Sequence, residues 1–401
     1  MPSVSPSFGA AGDPKRGLAA ARLFYFAFFG AIGCLVPYLN VYFAQQGLTG
    51  TQIGWLGSVA PLIALVANPF WGAVADRRHI HRQILALCAI ASGFVSLFFL
   101  NVTSFVPLLF LVTLLSFFRT PIAAILDSSV LDMVRKTGGH YGRQRMWGSV
   151  GFVLATVGLG QWLNLQDFSL MFWIHAILLG VVCFGLSFAM PVGAREGAVS
   201  LRDGMARLLQ HRAYVMFLGS MALLGISTSC YVNFLGLHLL ELGAGERLIG
   251  IAWAANGLAE IPIMYLGGRW FARFRYGRLI LLGYAGYTVV WLIMASAASP
   301  TQVVLGSILT GVCYGTVWVA AVNYAGLAAP PGLSATAQAL VGAVQSGIGW
   351  SIGAVLAGYL WDGFGGQAVF IAAALATSLA VVLFWFGDRT LESPPAAPVA
   401  A

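Results

Sequence analysis

Runs of about twenty apolar residues recur along almost the whole chain, separated by short polar breaks. A helix needs about 20 such residues to cross the hydrocarbon of a bilayer. The pattern predicts spans at 20–44, 53–75, 83–101, 105–133, 146–164, 169–190, 213–240, 247–267, 279–298, 301–327, 334–360 and 366–386. In lipid every backbone polar group must be satisfied internally, which a helix does within one segment. The expected fold class is therefore an all-α membrane protein with 12 transmembrane helices. Charged residues are 8% of the 401, against about 25% in soluble proteins. A soluble fold could not cover 59% hydrophobic residues with so little charge.

The net charge of +8 sits at the ends of the apolar runs, so it reports topology and gives no reason to expect a nucleic-acid partner. Arg77, Arg78 and Arg82 follow the second span, and Arg135, Lys136 and Arg143 the fourth. Arg195, Arg202, Arg207 and Arg212 follow the sixth, and Arg269, Arg273, Arg275 and Arg278 the eighth. The other side is nearly empty of Lys and Arg, with Arg247 the exception. The positive-inside rule then places both termini in the cytoplasm of a multi-pass inner (plasma) membrane protein. Lys15, Arg16 and Arg22 precede the first run as in a signal peptide, but the run ends in Pro37-Tyr38-Leu39 without a cleavage site, so it is expected to be retained.

The polar stretch Pro191 to Arg212 divides the chain near its middle and could carry a short amphipathic helix at 200–210. The expected organisation is a disordered N-terminus at 1–19, six-helix bundles at 20–190 and 213–386 with the loop 191–212 between them, and a disordered tail at 387–401. Gly72-x-x-x-Asp76-Arg77 after the second span and Gly268-x-x-x-Ala272-Arg273 after the eighth occupy the same place in their halves. A duplicated six-helix unit explains this, and such repeats characterise secondary transporters. Gly148-x-x-Gly151 and Gly349-x-x-x-Gly353 mark close helix packing.

An ionisable side chain inside a bilayer is a functional candidate by default. Arg119 and Asp127 fall in the fourth span, Arg145 opens the fifth and Glu260 lies deep in the eighth. Arg119 and Asp127 are eight residues apart, about two turns, too far for a direct pair along one helix. Arg145 could partner Asp127 across the short loop, and a purely structural ion pair is the competing reading. Arg119 either lines a cavity or braces the bundle. Glu260, among small apolar residues, is placed to bind and release a proton as access alternates, and a permanently neutral or hydrogen-bonded glutamate that supports Pro262 is the competing reading. Gly72, Asp76 and Arg77 are candidates for a conformational gate. His175 and His238 read better as interface anchors than as relays, and Tyr25, Phe28, Tyr38, Trp253, Tyr314 and Trp318 are candidates for a central cavity. Cys34, Cys88, Cys183, Cys230 and Cys313 lie in apolar runs at no metal-ligand spacing. No metal and no cofactor are expected.

Gly72-Ala-Val-Ala-Asp76-Arg77 resembles the cytoplasmic signature of the major facilitator superfamily between its second and third helices, with His79 where the family has glycine. Tyr141 to Phe152 resembles the start of the fifth helix in lactose permease and its relatives. That resemblance implies that Asp127 and Arg145, eighteen residues apart, contact substrate, that Phe152 stacks on it, and that Glu260 joins binding to proton transfer. Phe118-Arg119-Thr120-Pro121, Leu126-Asp127, Ala259-Glu260-Ile261-Pro262 and Ala335-Thr336-Ala337-Gln338-Ala339-Leu340 are similar to phenylpropionate and cinnamate permeases and nucleoside–proton symporters. The resemblance runs from about residue 22 to 386. It implies two pseudo-symmetric six-helix halves, each an inverted 3+3 repeat, around a central cavity. The sugar symporter's ninth-helix arginine has no counterpart in 284–296, and its tenth-helix histidine–acid pair is replaced by Thr310, Tyr314 and Trp318.

Together these features lead to an expectation of proton-coupled uptake of a small organic solute by a monomer in membrane lipid, without enzymatic activity. An aromatic carboxylate suits the residues: Arg119 or Arg145 meets the carboxylate, rings including Tyr25, Phe152, Tyr314 and Trp318 stack on it, and Glu260 or Asp127 carries the proton. Uptake of a neutral sugar or nucleoside, export, and a membrane sensor that binds without turnover are the competing readings.

Overall fold

A computed structural model of the chain describes residues 14–137, 140–163, 167–190, 205, 208–270, 273–329 and 333–388. The described elements are helical. The first half holds α1 (Pro14–Gln45), α2 (Gly50–Arg78), α3 (His81–Phe98), α4 (Phe105–Thr137), α5 (Tyr141–Trp162) and α6 (Ser169–Ala189). The second holds α7 (Arg212–Glu241), α8 (Glu246–Trp270), α9 (Tyr276–Ala295), α10 (Pro300–Ala328), α11 (334–364) and α12 (366–388). The last two form one rod broken at Gly365, whose φ of 76° with ψ of −174° is open only to glycine.

Ten stretches are long and apolar enough to cross a membrane, α11 and α12 counting as one, and α5 falls short because glycines, arginines and glutamines punctuate it. The expected spans therefore recur with small shifts. Helix α1 starts at Pro14, earlier than the unstructured leader to residue 19 allowed for. Helix α5 starts at Tyr141, so Arg145 lies inside it, one turn in. The expected helix at 200–210, the repeat at Gly268 and Ala272, and Lys15 and Arg16 lie largely or wholly outside what can be described at side-chain level.

Prolines 37, 61, 69, 121 and 262 sit within helices, as neighbouring helices permit in a membrane. Two helices carry a π-helical stretch, Leu178–Cys183 in α6 and Ala343–Gly349 in α11. Helix α2 opens on a capping box: the Thr49 hydroxyl accepts from Gln52 N–H at 3.3 Å and the Gln52 amide oxygen accepts from Thr49 N–H at 3.0 Å. It closes at His79, in the left-handed region at φ 53°, the conformation that the expected glycine would adopt freely. Small residues pack as their spacing predicts. The Gly353 face of α11 lies on Ile226 of α7, and the Gly151 face of α5 on Phe26 of α1.

The two halves meet at the end away from the basic clusters, which carries Glu241, Glu246 and Asp362. Helix α2 runs against α11 from Gly50 beside Trp361 and Asp362 down to Leu65 beside Gly347. Helix α5 runs against α8 from Gly160 beside Glu246 down to Val153 beside Gly257. Among the described residues these contacts lie toward the acid-rich end, while a Cβ placed on Gly72, Gly142 or Gly342 nearer the basic end would meet nothing within 4 Å. The described parts of the two halves are thus closed together at the acid-rich end and apart at the basic end.

Asp362 closes this shut face. Its carboxylate accepts from the N–H of Gly50 at 2.6 Å and of Thr51 at 2.8 Å, capping α2 from the opposite half. A carboxylate at an exposed helix N-terminus contributes about 0.3–1 kcal/mol. Asp362→Asn should therefore shift the resting population a few-fold toward the state open at the acid-rich end. Spin-label distances across α2 and α11 would check this, and an unchanged distribution would remove the latch role.

Candidate functional site

Where the halves splay, a central space opens in two lobes that share Val232 of α7 and Trp350 of α11 as common wall. The first lobe, about 350 Å³, collects the chemistry. Arg145, Ser149 and Phe152 reach it from α5, Trp253, Asn256 and Glu260 from α8, Tyr231 from α7, Tyr287 from α9 and Thr310 and Tyr314 from α10. The second lobe, about 300 Å³, lies nearer the acid-rich end and includes Asn40, Ser116, Arg119, Thr120, Asn233 and Ser346.

Arg145 stands with its guanidinium carbon 3.8 Å from the Phe29 ring centroid and 5.7 Å from that of Tyr25. Room for it comes from Gly148, where a Cβ would lie 2.8 Å from Arg145 Nη1. A cation over a ring face is held by the ring quadrupole, which leaves its N–H donors free for a ligand. Glu260 is half-buried on the facing wall, close enough for its charge to interact with that of Arg145. Among the described residues it has neither an ion pair nor a hydrogen bond. Tyr231 Oη and Trp253 Nε1 are also buried without partners on this wall. Phe152 packs against Trp253 with centroids 6.2 Å apart.

The expected pairing of Asp127 with Arg145 does not form. Asp127 instead accepts from the Tyr25 hydroxyl at 2.5 Å. The Arg145 guanidinium lies over Phe29 instead, in the room that Gly148 leaves. Tyr25 is fully buried, and neither it nor Asp127 lines a lobe. Trp318 also stays off the cavity wall and stacks behind Tyr314, centroids 6.0 Å apart and planes 12° apart. Phe28 and Tyr38 are buried in helix packing, Tyr38 donating to the Thr156 carbonyl at 2.8 Å. Arg119 faces the second lobe and leaves Nη1 buried without a partner. His175 and His238 are buried and bond the backbone carbonyls of Ala31 at 3.0 Å and Met294 at 3.1 Å on neighbouring helices. At the basic end Asp76 pairs with His81 Nε2 at 2.8 Å, Arg77 is exposed and Gly72 faces open space.

Asn40 and Asn233 were not singled out in the sequence. Asn40 Nδ2 donates to the Asn233 carbonyl at 2.9 Å and its Oδ1 at 3.1 Å, joining the two halves beside the second lobe. Their signal was present, since an amide inside an apolar run seeks a partner on another helix. Asp362 gave none, because its partners lie 311 and 312 residues away.

Among the described residues, twelve helices in two halves with a polar and aromatic cavity between them have the architecture of a membrane transporter. The chain belongs to the MFS_1 like family, whose model matches residues 18–372. It is 30% identical over 377 residues to the maltose permease of Geobacillus stearothermophilus, covering 92% of this chain and 95% of that one. It is 26% identical over 369 residues to a probable 3-phenylpropionic acid transporter of Escherichia coli (strain K12), covering 90% and 95%. A crystal structure of the nucleoside transporter NupG superimposes with a TM-score of 0.83 at 16% identity, covering 93% of this chain and 99% of that one, which speaks for the fold alone.

Proposed function

We propose that this permease takes up a small organic anion, an aromatic carboxylate, together with a proton. The observation that carries the reading is the charge of the cavity wall. Two arginines, Arg119 and Arg145, face it against one acid, Glu260. A cavity whose cations outnumber its acids favours an anion, and more so once Glu260 is protonated. Aromatic residues on the same wall supply stacking surfaces for a ring. With the basic end in the cytoplasm of the inner membrane, the splayed conformer is the inward-open one. Asp127, held by Tyr25, acts in this reading as a support for α1 against α4, and Glu260 alone carries the proton.

A neutral sugar is the second reading. It is favoured by the hydroxyl and amide groups of Ser149, Thr228, Asn256 and Thr310 on the first lobe and by the maltose permease relative. Binding of 3-phenylpropionate and maltose to purified protein, followed by tryptophan fluorescence, separates the two. Arg145→Gln should weaken 3-phenylpropionate about 10- to 100-fold, the worth of hydrogen bonds to a charged group. Tight maltose binding with no carboxylate binding would install the sugar reading in its place.

A further inference from the structure

We propose that the second lobe is an anion subsite built on Arg119 and Thr120, separate from the Arg145 lobe. It rests on the reading of the central cavity as the transport site and adds a second acceptor-bearing group to what that cavity holds. Arg119 projects from α4 into a wall otherwise made of neutral residues. No carboxylate lines this lobe, and among the described residues no acid forms an ion pair with Arg119. Its Nη1 is buried without a hydrogen-bond partner, and so is Thr120 Oγ1 beside it in sequence. The other polar groups nearby are already engaged. Asn40 donates to Asn233, and Asn233 Nδ2 donates to Ser229 O at 2.9 Å and Oγ at 3.0 Å.

The unmet demand is thus one cation with spare donors and one hydroxyl, adjacent and facing a space of about 300 Å³. A brace would need an acceptor within the bundle, and among the described residues neither Arg119 Nη1 nor Thr120 Oγ1 has one. His175, whose charge would interact with that of Arg119, uses Nδ1 on the Ala31 carbonyl and leaves Nε2 unpartnered, so it does not satisfy the arginine. The group that completes the site is an anion arriving through the cavity. Because the lobes adjoin across Val232 and Trp350, one elongated solute with an acidic group at each end of a ring is the probe that would reach for both. A small free anion such as chloride, bound beside a monocarboxylate, would supply the same chemistry.

The test uses full-length protein in nanodiscs and two probes, 3-phenylpropionate and 3-(4-carboxyphenyl)propionate, titrated in chloride-free buffer and again with chloride. The dicarboxylate is expected to bind about tenfold or more tighter than the monocarboxylate, or chloride is expected to tighten the monocarboxylate to a similar degree. Arg119→Gln should bring the affected ratio close to one, whereas Arg145→Gln should weaken both organic probes. Thr120→Val, a smaller change, should lower the same ratio and guards against misfolding of the arginine variant. Should neither organic probe bind the native protein, the carboxylate reading fails on its own. The subsite is then judged by thermal stabilisation with chloride alone, present in the native protein and absent in Arg119→Gln. A ratio near one with no chloride effect, or ratios that both variants leave unchanged, overturns the subsite.

Discussion

Glu260→Gln is expected to reduce uphill accumulation to background while leaving solute exchange across the membrane intact. Glutamine keeps the shape of the side chain and removes its ability to ionise. Among the described residues Glu260 is the one acid on the wall of either lobe, and no hydrogen bond or ion pair holds it in one state. A charge in the middle of a bilayer costs about 2.5–3.5 kcal/mol, so a carboxylate exposed to alternating access gains or loses its proton as its surroundings change. The variant is fixed in a form that imitates a protonated glutamate. Solute should then load and unload on both sides without being driven. Reconstituted protein measured in parallel by counterflow and by proton-driven uptake separates the two activities. Persistence of uphill uptake in the variant would move the coupling role to another group.

Gly54→Leu should be equally severe for a mechanical reason. A Cβ at Gly54 would run into the Ala354 carbonyl and come within 3.1 Å of Gly358 Cα, both backbone atoms that cannot yield. Overpacking of this kind costs about 1–3 kcal/mol, enough to shift a two-state equilibrium about 5- to 150-fold. The strain falls only on the conformer shut at the acid-rich end, so the population moves to the opposite conformer and turnover stalls. Val232→Cys, on the shared wall of the two lobes, reports this. Its labelling by an impermeant thiol reagent from the acid-rich side should rise sharply in the Gly54→Leu background. Unchanged labelling would mean that α2 and α11 are not the closing surfaces.

How much of this was legible in the sequence follows from the range over which each signal acts. Helices were legible because twenty consecutive residues carry the message locally, and even the break at Gly365 fell between two expected spans. Arg145, Phe152, Glu260 and Tyr314 could be named because a polar or aromatic residue at a given place in a span limits its options, and all four line the first lobe. Tyr25 and Asp127 could be named but not placed. Both are unusual in apolar surroundings, yet their mutual hydrogen bond depends on how α1 and α4 rotate about their axes, which a weak periodicity does not specify. Trp318 illustrates the same limit, turned behind Tyr314 although it lies only four residues along the same helix. Contacts between the halves, such as Asp362 on the start of α2, depend on tertiary closure alone.

The most direct test of the central claim is the internal pH of liposomes containing the protein, recorded on adding 3-phenylpropionate or maltose and corrected for protein-free vesicles. The account predicts proton entry with the carboxylate, none with maltose, and loss of the carboxylate signal in Glu260→Gln. Proton entry driven by maltose, or passage of the carboxylate with no proton movement, would contradict it.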